Sequence, residues 1–220
     1  MLIAHPSRRT WLRGALMMTA GAAVLTSLSL ATGAGAKTPL AIGQPAPDFT
    51  ALDTSGKPVT LSELKGKTVV LEWSNHDCPY VVKHYASGNM QAIQKDAAKD
   101  GVVWLTVISS AAGEQGNVTP QAADQLTKSR SAAPAAVLLD PEGKIGRQYE
   151  ARTTPHMYVV DKAGALQYMG GIDDKPTSNA ADIKTAKPYV RLALAAVAKG
   201  EKVADAVTKP YGCSIKYKSS

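Results

Sequence analysis

An α/β fold with a mixed sheet covered by helices on both faces is predicted by three features of the sequence. Two β-branched apolar runs, residues 68–73 and 102–108, flank a stretch whose apolar residues recur at helical spacing. Strand-like and helix-like runs then alternate, and the order ends in a hairpin followed by a helix. Strands that alternate with helices bury both sheet faces under those helices.

The elements follow in chain order. Residues 49–53 and 57–60 flank Ser55-Gly56 and read as an N-terminal hairpin. The run 68–73 suits a central strand. From Pro79 to Ala98, Val82, Ala86, Met90, Ile93 and Ala97 form one buried stripe, so a single helix is expected, with Gly88 as the place for a kink. A second central strand covers 102–108, and a short helix runs from Thr119 to Lys128 with Pro120 at its first position. Residues 136–140, 157–161 and 166–169 read as further strands, the last two joined by the turn Lys162-Ala163-Gly164. Residues 188–199 close the fold as a helix with Val190, Leu194 and Val197 on one face. Trp73 and Trp104, on apolar strands, are expected in the core.

Composition narrows the function classes. The chain has 220 residues, 45% hydrophobic and 20% charged, with two Cys, which excludes collagen-like, coiled-coil and disulfide-dense scaffolds and a four-cysteine zinc site. The net charge of +7 is partly local, because Arg8, Arg9 and Arg13 lie in a first segment, 1–36, that has no acidic residue. The remainder has 22 Lys/Arg against 18 Asp/Glu without a basic block, so no nucleic-acid partner is expected. Residues 7–13, Ser-Arg-Arg-Thr-Trp-Leu-Arg, resemble the twin-arginine export motif, and a mildly apolar stretch and Ala34-Gly35-Ala36 follow. Thr19, Gly21, Thr26, Ser27 and Ser29 dilute that stretch below what a membrane anchor needs. A signal peptide over 1–36 is therefore expected, leaving a periplasmic protein with no stable membrane span, in a compartment where disulfides persist. The expected organisation is signal peptide 1–36, domain 37–200, and tail 201–220.

The chemistry concentrates at one junction. Strand 68–73 delivers the chain to Asn75-His76-Asp77-Cys78-Pro79-Tyr80, and Pro79 at the first helical position puts Cys78 at or beside the N-cap. Free N–H groups and the positive end of the helix dipole stabilise a thiolate there, which marks Cys78 as a reactive residue; its alternative is a small packing residue.

Three stretches carry a resemblance to the thioredoxin superfamily, and more narrowly to the redoxins grouped with alkyl hydroperoxide reductase and thiol-specific antioxidant proteins. Gly43-Gln44-Pro45-Ala46-Pro47-Asp48-Phe49 with Leu61-Ser62-Glu63-Leu64-Lys65-Gly66-Lys67 resembles the redoxin opening. Cys78-Pro79-Tyr80-Val81 resembles the active-site cysteine motif, and residues 154–161, from Thr154-Pro155-His156, resemble the cis-proline strand. The resemblance spans about residues 40–200 and implies a thioredoxin-like fold and thiol chemistry without a cofactor.

Departures from the family limit what transfers. Peroxiredoxins carry Pro-x-x-x-Thr/Ser-x-x-Cys, where this chain has Leu71, Asn75 and Cys78, and the position of their active-site arginine holds Pro155. Weak peroxidase activity is therefore expected; Arg147 and Arg152 are the candidates to replace that arginine. Thioredoxins carry a second cysteine where this chain has Val81, which excludes a Cys-x-x-Cys dithiol. Cys213 remains, in a tail whose Pro210 and Gly212 argue against regular structure. Three roles stay open for it: a thiol resolving Cys78, a permanent structural bridge, or an unpaired thiol.

Glu72 lies six residues before Cys78, where by resemblance thioredoxins keep a buried acid that relays protons; the alternative is a salt bridge to Lys83 or another basic residue. His76, His84 and His156, with Cys78 and Cys213, suggest a metal site, although their spacing matches no compact ligand motif. Asp173-Asp174 reads as a loop and helix cap. The resulting expectation is a thiol oxidoreductase acting on protein disulfides or thiols, or on small thiol or peroxide substrates. Cys78 is the nucleophile, Cys213 the resolving thiol, Glu72 the proton carrier, and Pro155 orients the substrate strand. The alternative is a non-catalytic metal- or partner-binding protein on the same fold.

Overall fold

The structure, a computed structural model, describes residues 40–219; the export segment expected over 1–36 lies outside them. Among the described residues no helix is long and apolar enough to cross a membrane. A five-stranded mixed sheet organises the chain, built from β3 (Val69–Trp73), β4 (Val103–Ile108), β5 (Ala136–Leu139), β7 (His156–Val160) and β8 (Leu166–Gly170) in the order β5-β4-β3-β7-β8. β3 pairs in parallel with β4, and β4 with β5, whereas β7 is antiparallel to both β3 and β8. β1 (Thr50–Leu52) and β2 (Pro58–Thr60) form the expected hairpin.

Side chains alternate across the two faces of β3, which is buried throughout. Val70, Trp104, Met157 and Val159 meet α1 (Pro79–Ala86), α2 (Asn89–Lys99) and α5 (Tyr189–Lys199) through Val81, Tyr85, Met90, Ile93, Val190 and Ala193. On the other face Leu71, Trp73, Leu105, Tyr158 and Val160 pack against Phe49, Leu61, Ile145 and Tyr149, from the hairpin region and α4 (Lys144–Gln148). Trp73 lies at ring-centroid distances of 5.5 Å from Tyr149 and 5.0 Å from Tyr158, adding aromatic contacts to the area buried. α3 (Pro120–Ser129) packs on the β5 edge, its first turn capped by Thr119 Oγ1, which accepts from the Ala122 N–H at 3.2 Å.

Two expectations need correction. The helix expected over 79–98 is two helices, because Gly88 adopts the left-handed conformation (φ 76°) and starts α2 afresh. The expected stripe also fails in α1, where Val82 and Ala86 are exposed and Val81 and Tyr85 face the core instead. The tail is not irregular: β9 (Cys213–Ser214) pairs antiparallel with β6 (Thr153–Thr154), with Cys213 opposite Thr154. That pairing joins residues nearly sixty positions apart, which local turn signals cannot reveal.

Candidate active site

β3 ends at Trp73, and Asn75 shapes the turn that follows. Its Oδ1 accepts from the Asp77 N–H at 2.9 Å, its carbonyl accepts from the Cys78 N–H at 3.1 Å, and its side chain lies against Gly116. Cys78 is the N-cap of α1, with Pro79 at the first helical position, and its carbonyl accepts from Val81 and Val82, each at 2.9 Å. Its Sγ therefore sits at the positive end of the helix, fully buried.

Two further elements close over that sulfur. Cys78 Sγ lies 3.0 Å from the Thr154 carbonyl, and the Thr154–Pro155 peptide bond is cis. From the other side the Cys213 N–H donates to Cys78 Sγ at 3.4 Å. Both cysteines are free thiols, and each influences the acidity of the other. Gly212 makes the approach feasible. It has φ 129°, and a Cβ there would overlap the Thr154 carbonyl oxygen.

The two thiols differ in acidity. Burial pushes the Cys78 thiol up, but hydrogen bonds from Cys213 and Thr154 outweigh it and hold its pKa below the ordinary thiol value. The Thr154 carbonyl opposes them, because it accepts only from the protonated sulfur. Cys213 moves the other way, to about 11, through burial and through the hydrogen bond and charge of Cys78. The first proton leaves from Cys78, and Cys213 keeps its own and donates to the thiolate.

Glu72 is fully buried on β3. Its Oε1 accepts from the Tyr85 hydroxyl at 2.9 Å, and its Oε2 accepts from Trp104 Nε1 at 2.8 Å and from Gln94 Nε2 and Thr106 Oγ1, each at 3.2 Å. Burial raises its pKa against the pull of these donors and of Arg130, whose guanidinium lies 4.2 Å from the Tyr85 ring centroid. The salt bridge to Lys83 weighed from sequence is not formed, because Lys83 faces away from Glu72. Its Nζ donates to the Lys175 carbonyl at 2.9 Å and lies 3.9 Å from Asp173 Oδ2.

The histidines do not converge. His76 pairs with Asp77 at 3.3 Å, His84 is buried against Tyr211, and His156 Nδ1 accepts from the Arg152 N–H and meets the Tyr158 hydroxyl. Among the described residues no group of three or more His, Cys, Asp or Glu is placed to hold a metal ion. Burial lowers the pKa of His84 to about 4 and of His156 to about 3, so both are neutral at pH 7.

The peroxiredoxin positions are equally clear. Leu71 packs on the sheet face opposite α1, and Asn75 is committed to its turn. Arg147 stacks over Tyr217 at 4.8 Å and donates to the Lys218 carbonyl, and Arg152 lines a cavity of about 280 Å³ with His156 and Tyr158. A larger cavity, about 320 Å³, lies between the hairpin region and the β7–β8 turn, and neither cavity is lined by Cys78 or Cys213.

Sequence reading missed one cluster at this site: Lys83, His84, Asp173 and Tyr211, all buried, beside the cysteine pair. Asp173-Asp174 was expected as a loop and cap. Asp174 does accept from the Lys187 N–H just before α5, but Asp173 turns into the protein. The only local signal was Lys83-His84 on the otherwise apolar side of a helix.

The model of the AhpC/TSA family matches residues 42–169, more than half of the chain. The chain belongs to the AhpC/TSA family. It is a thioredoxin-superfamily redoxin, as the sheet order and the cysteine at the head of α1 already indicated. Among curated proteins none matches. Two solved structures share the fold over most of their length. One is a hypothetical protein, SMc02350, from Sinorhizobium meliloti 1021: 24% identity, TM-score 0.69, 83% of this chain and 97% of that one. The other is an uncharacterized conserved protein from Geobacillus kaustophilus: 26% identity, TM-score 0.69, 83% of this chain and 95% of that one.

Proposed function

We propose that this redoxin is a periplasmic thiol-disulfide oxidoreductase in which Cys78 is the nucleophile and Cys213 the resolving thiol. The observation that carries the reading is the Cys213 N–H at 3.4 Å from a Cys78 sulfur seated at the N-cap of α1. Family membership supports thiol chemistry, and the export-like segment 1–36 supports the compartment.

The Cys78 thiolate attacks one sulfur of a substrate disulfide; that S–S bond breaks, and the departing thiolate takes a proton. The Cys213 sulfur then attacks Cys78 Sγ, releasing the second substrate thiol and forming the Cys78–Cys213 disulfide, so two electrons pass to the substrate. Glu72 is the acid assigned to carry protons, since burial raises its pKa and it lies on the strand that delivers Cys78. Pro155 would orient a substrate strand against Thr154. β9 occupies that edge in the reduced protein, so the tail must lift for a polypeptide disulfide to reach Cys78. Peroxidase activity is weak in this reading, because neither Leu71, Asn75 nor Pro155 offers a group to hold peroxide.

Exposure to a model disulfide, followed by intact-mass measurement, tests the pair. Wild-type protein should lose the mass of two hydrogen atoms and carry no adduct, whereas Cys213→Ser should stop as a mixed disulfide on Cys78 with its fold retained. A Cys213→Ser protein that turns over like wild type, or a wild-type protein with two persistent free thiols, would refute the mechanism.

A further inference from the structure

We propose that Asp173 and His84 are positioning residues for the cysteine pair, acting through Tyr211 to hold Cys213 against Cys78. The inference rests on the cysteine-pair reading and adds the device that sets the pair's geometry.

The hydrogen bonds run in one direction. Asn89 Nδ2 donates to His84 Nδ1 at 2.9 Å, which leaves the proton of the neutral imidazole on Nε2. Nε2 then donates to the Tyr211 hydroxyl oxygen at 3.2 Å, and that hydroxyl donates to Asp173 Oδ1. Asp173 Oδ1 also accepts from the Lys175 N–H at 2.9 Å. Asp173 Oδ2 has no hydrogen-bond partner among the described residues; Lys83 Nζ at 3.9 Å and His84 Nε2 at 3.8 Å are its polar neighbours. A buried carboxylate compensated mainly by one lysine charge is costly to maintain, and what this one holds is the tail tyrosine.

Location gives the cluster its role. His84 and Lys83 are on α1, the helix that begins at Cys78. Tyr211 is two residues before Cys213, and Gly212 between them is pressed against the Thr154 carbonyl. One helix thus carries Cys78 at its N-cap and, one and a half turns on, the groups that grip the tail. Tyr211 also packs against Tyr80, at 5.9 Å between ring centroids, in the first turn of the same helix. Loosening the grip frees Cys213 while leaving the Cys78 end of α1 in place.

The test uses the full chain and oxidised glutathione as probe. Cys78 attacks it to give the glutathione mixed disulfide and one glutathione, and Cys213 then displaces the second glutathione, taking up the Cys78 sulfur and giving its proton to the leaving thiolate. The ratio of internal disulfide to mixed disulfide, measured by mass spectrometry across glutathione concentrations, reads how well Cys213 is positioned. Tyr211→Phe and Asp173→Asn should each lower that closing constant by about tenfold to a hundredfold, the worth of a hydrogen bond to a buried charged group. In a Cys213→Ser background either substitution should also speed alkylation of Cys78, because a loosened tail uncovers its buried sulfur. Tyr149→Phe removes an equally buried hydroxyl, bonded to the Pro47 carbonyl on the other sheet face, and should leave the closing constant unchanged. A constant within twofold of wild type in both tail variants overturns the inference, as does an equal drop in Tyr149→Phe. A wild-type protein that never closes the internal bond overturns the cysteine-pair reading itself.

Discussion

Replacing Gly212 by alanine perturbs the one residue that lets the tail lie on Cys78. Gly212 has φ 129°, a conformation that costs an L-residue on the order of 1–3 kcal/mol, and its Cβ would overlap the Thr154 carbonyl oxygen. That oxygen cannot rotate away, because it belongs to the β6 backbone and contacts Cys78 Sγ. The tail must therefore detach, giving up the Cys213 N–H bond to the sulfur and the Ile215 N–H bond to the Arg152 carbonyl at 3.0 Å. Those bonds are missing from the open tail in either protein, so what the closed tail loses relative to it is the backbone strain together with the overlap, about 2–3 kcal/mol. The open population should then rise roughly thirtyfold to a hundredfold or more. The assay is native-state labelling of Cys78 with a bulky maleimide, comparing Cys213→Ser with Cys213→Ser/Gly212→Ala. Labelling should accelerate by the same factor, with little change in the melting of the sheet, since β9 lies outside the five-stranded core. Equal labelling rates would show that the tail does not gate Cys78.

Three other outcomes are expected. Glu72→Gln should stay within about 1 kcal/mol of wild-type stability, because a Gln oxygen at the Oε2 position keeps three donors satisfied, whereas Glu72→Leu should lose about 3–5 kcal/mol by leaving four donors unpaired; denaturant titration separates them. If Glu72 carries protons, Glu72→Gln also slows disulfide exchange without a matching loss of stability. Acid should destabilise the protein through its buried imidazoles. The pKa of His156 is about 3 in the folded state against 6.5 unfolded, so below pH 6.5 the unfolded chain takes up the proton first and stability falls with pH toward 3. Between pH 7 and 5 this group costs about 2 kcal/mol, and Glu72, with a raised pKa, works in the opposite direction. His156→Gln should flatten the dependence by that amount in urea titrations. Finally, the rate of Cys78 with hydrogen peroxide should resemble that of an ordinary thiolate; a rate orders of magnitude higher would contradict the assignment of Leu71, Asn75 and Pro155.

The residues of the central strands and the Cys78 junction were legible because their signals are local. β-branched runs mark β3 and β4, and Pro79 marks the start of α1 beside its cysteine. Gly88 was legible as a weak point, but whether a glycine bends a helix or divides it depends on packing of the following turn, which periodicity alone does not resolve. The tail was legible only as a set of alternatives. Its order comes from pairing with Thr153 and Thr154 and from the grip on Tyr211, and both partners lie far off in sequence. Asp173 was misread for the same reason: an acidic pair after two glycines looks like a surface loop, and the charge that makes its burial tolerable comes from Lys83, ninety residues earlier.

The measurement that bears most directly on the account is a redox titration of the wild-type protein, with thiols counted by mass after trapping. A cycling Cys78–Cys213 pair should show one two-electron transition at about −120 to −270 mV, the range of catalytic dithiols. A transition at or below about −300 mV would mark a structural bridge, and two free thiols at every potential would mean that Cys213 does not resolve Cys78.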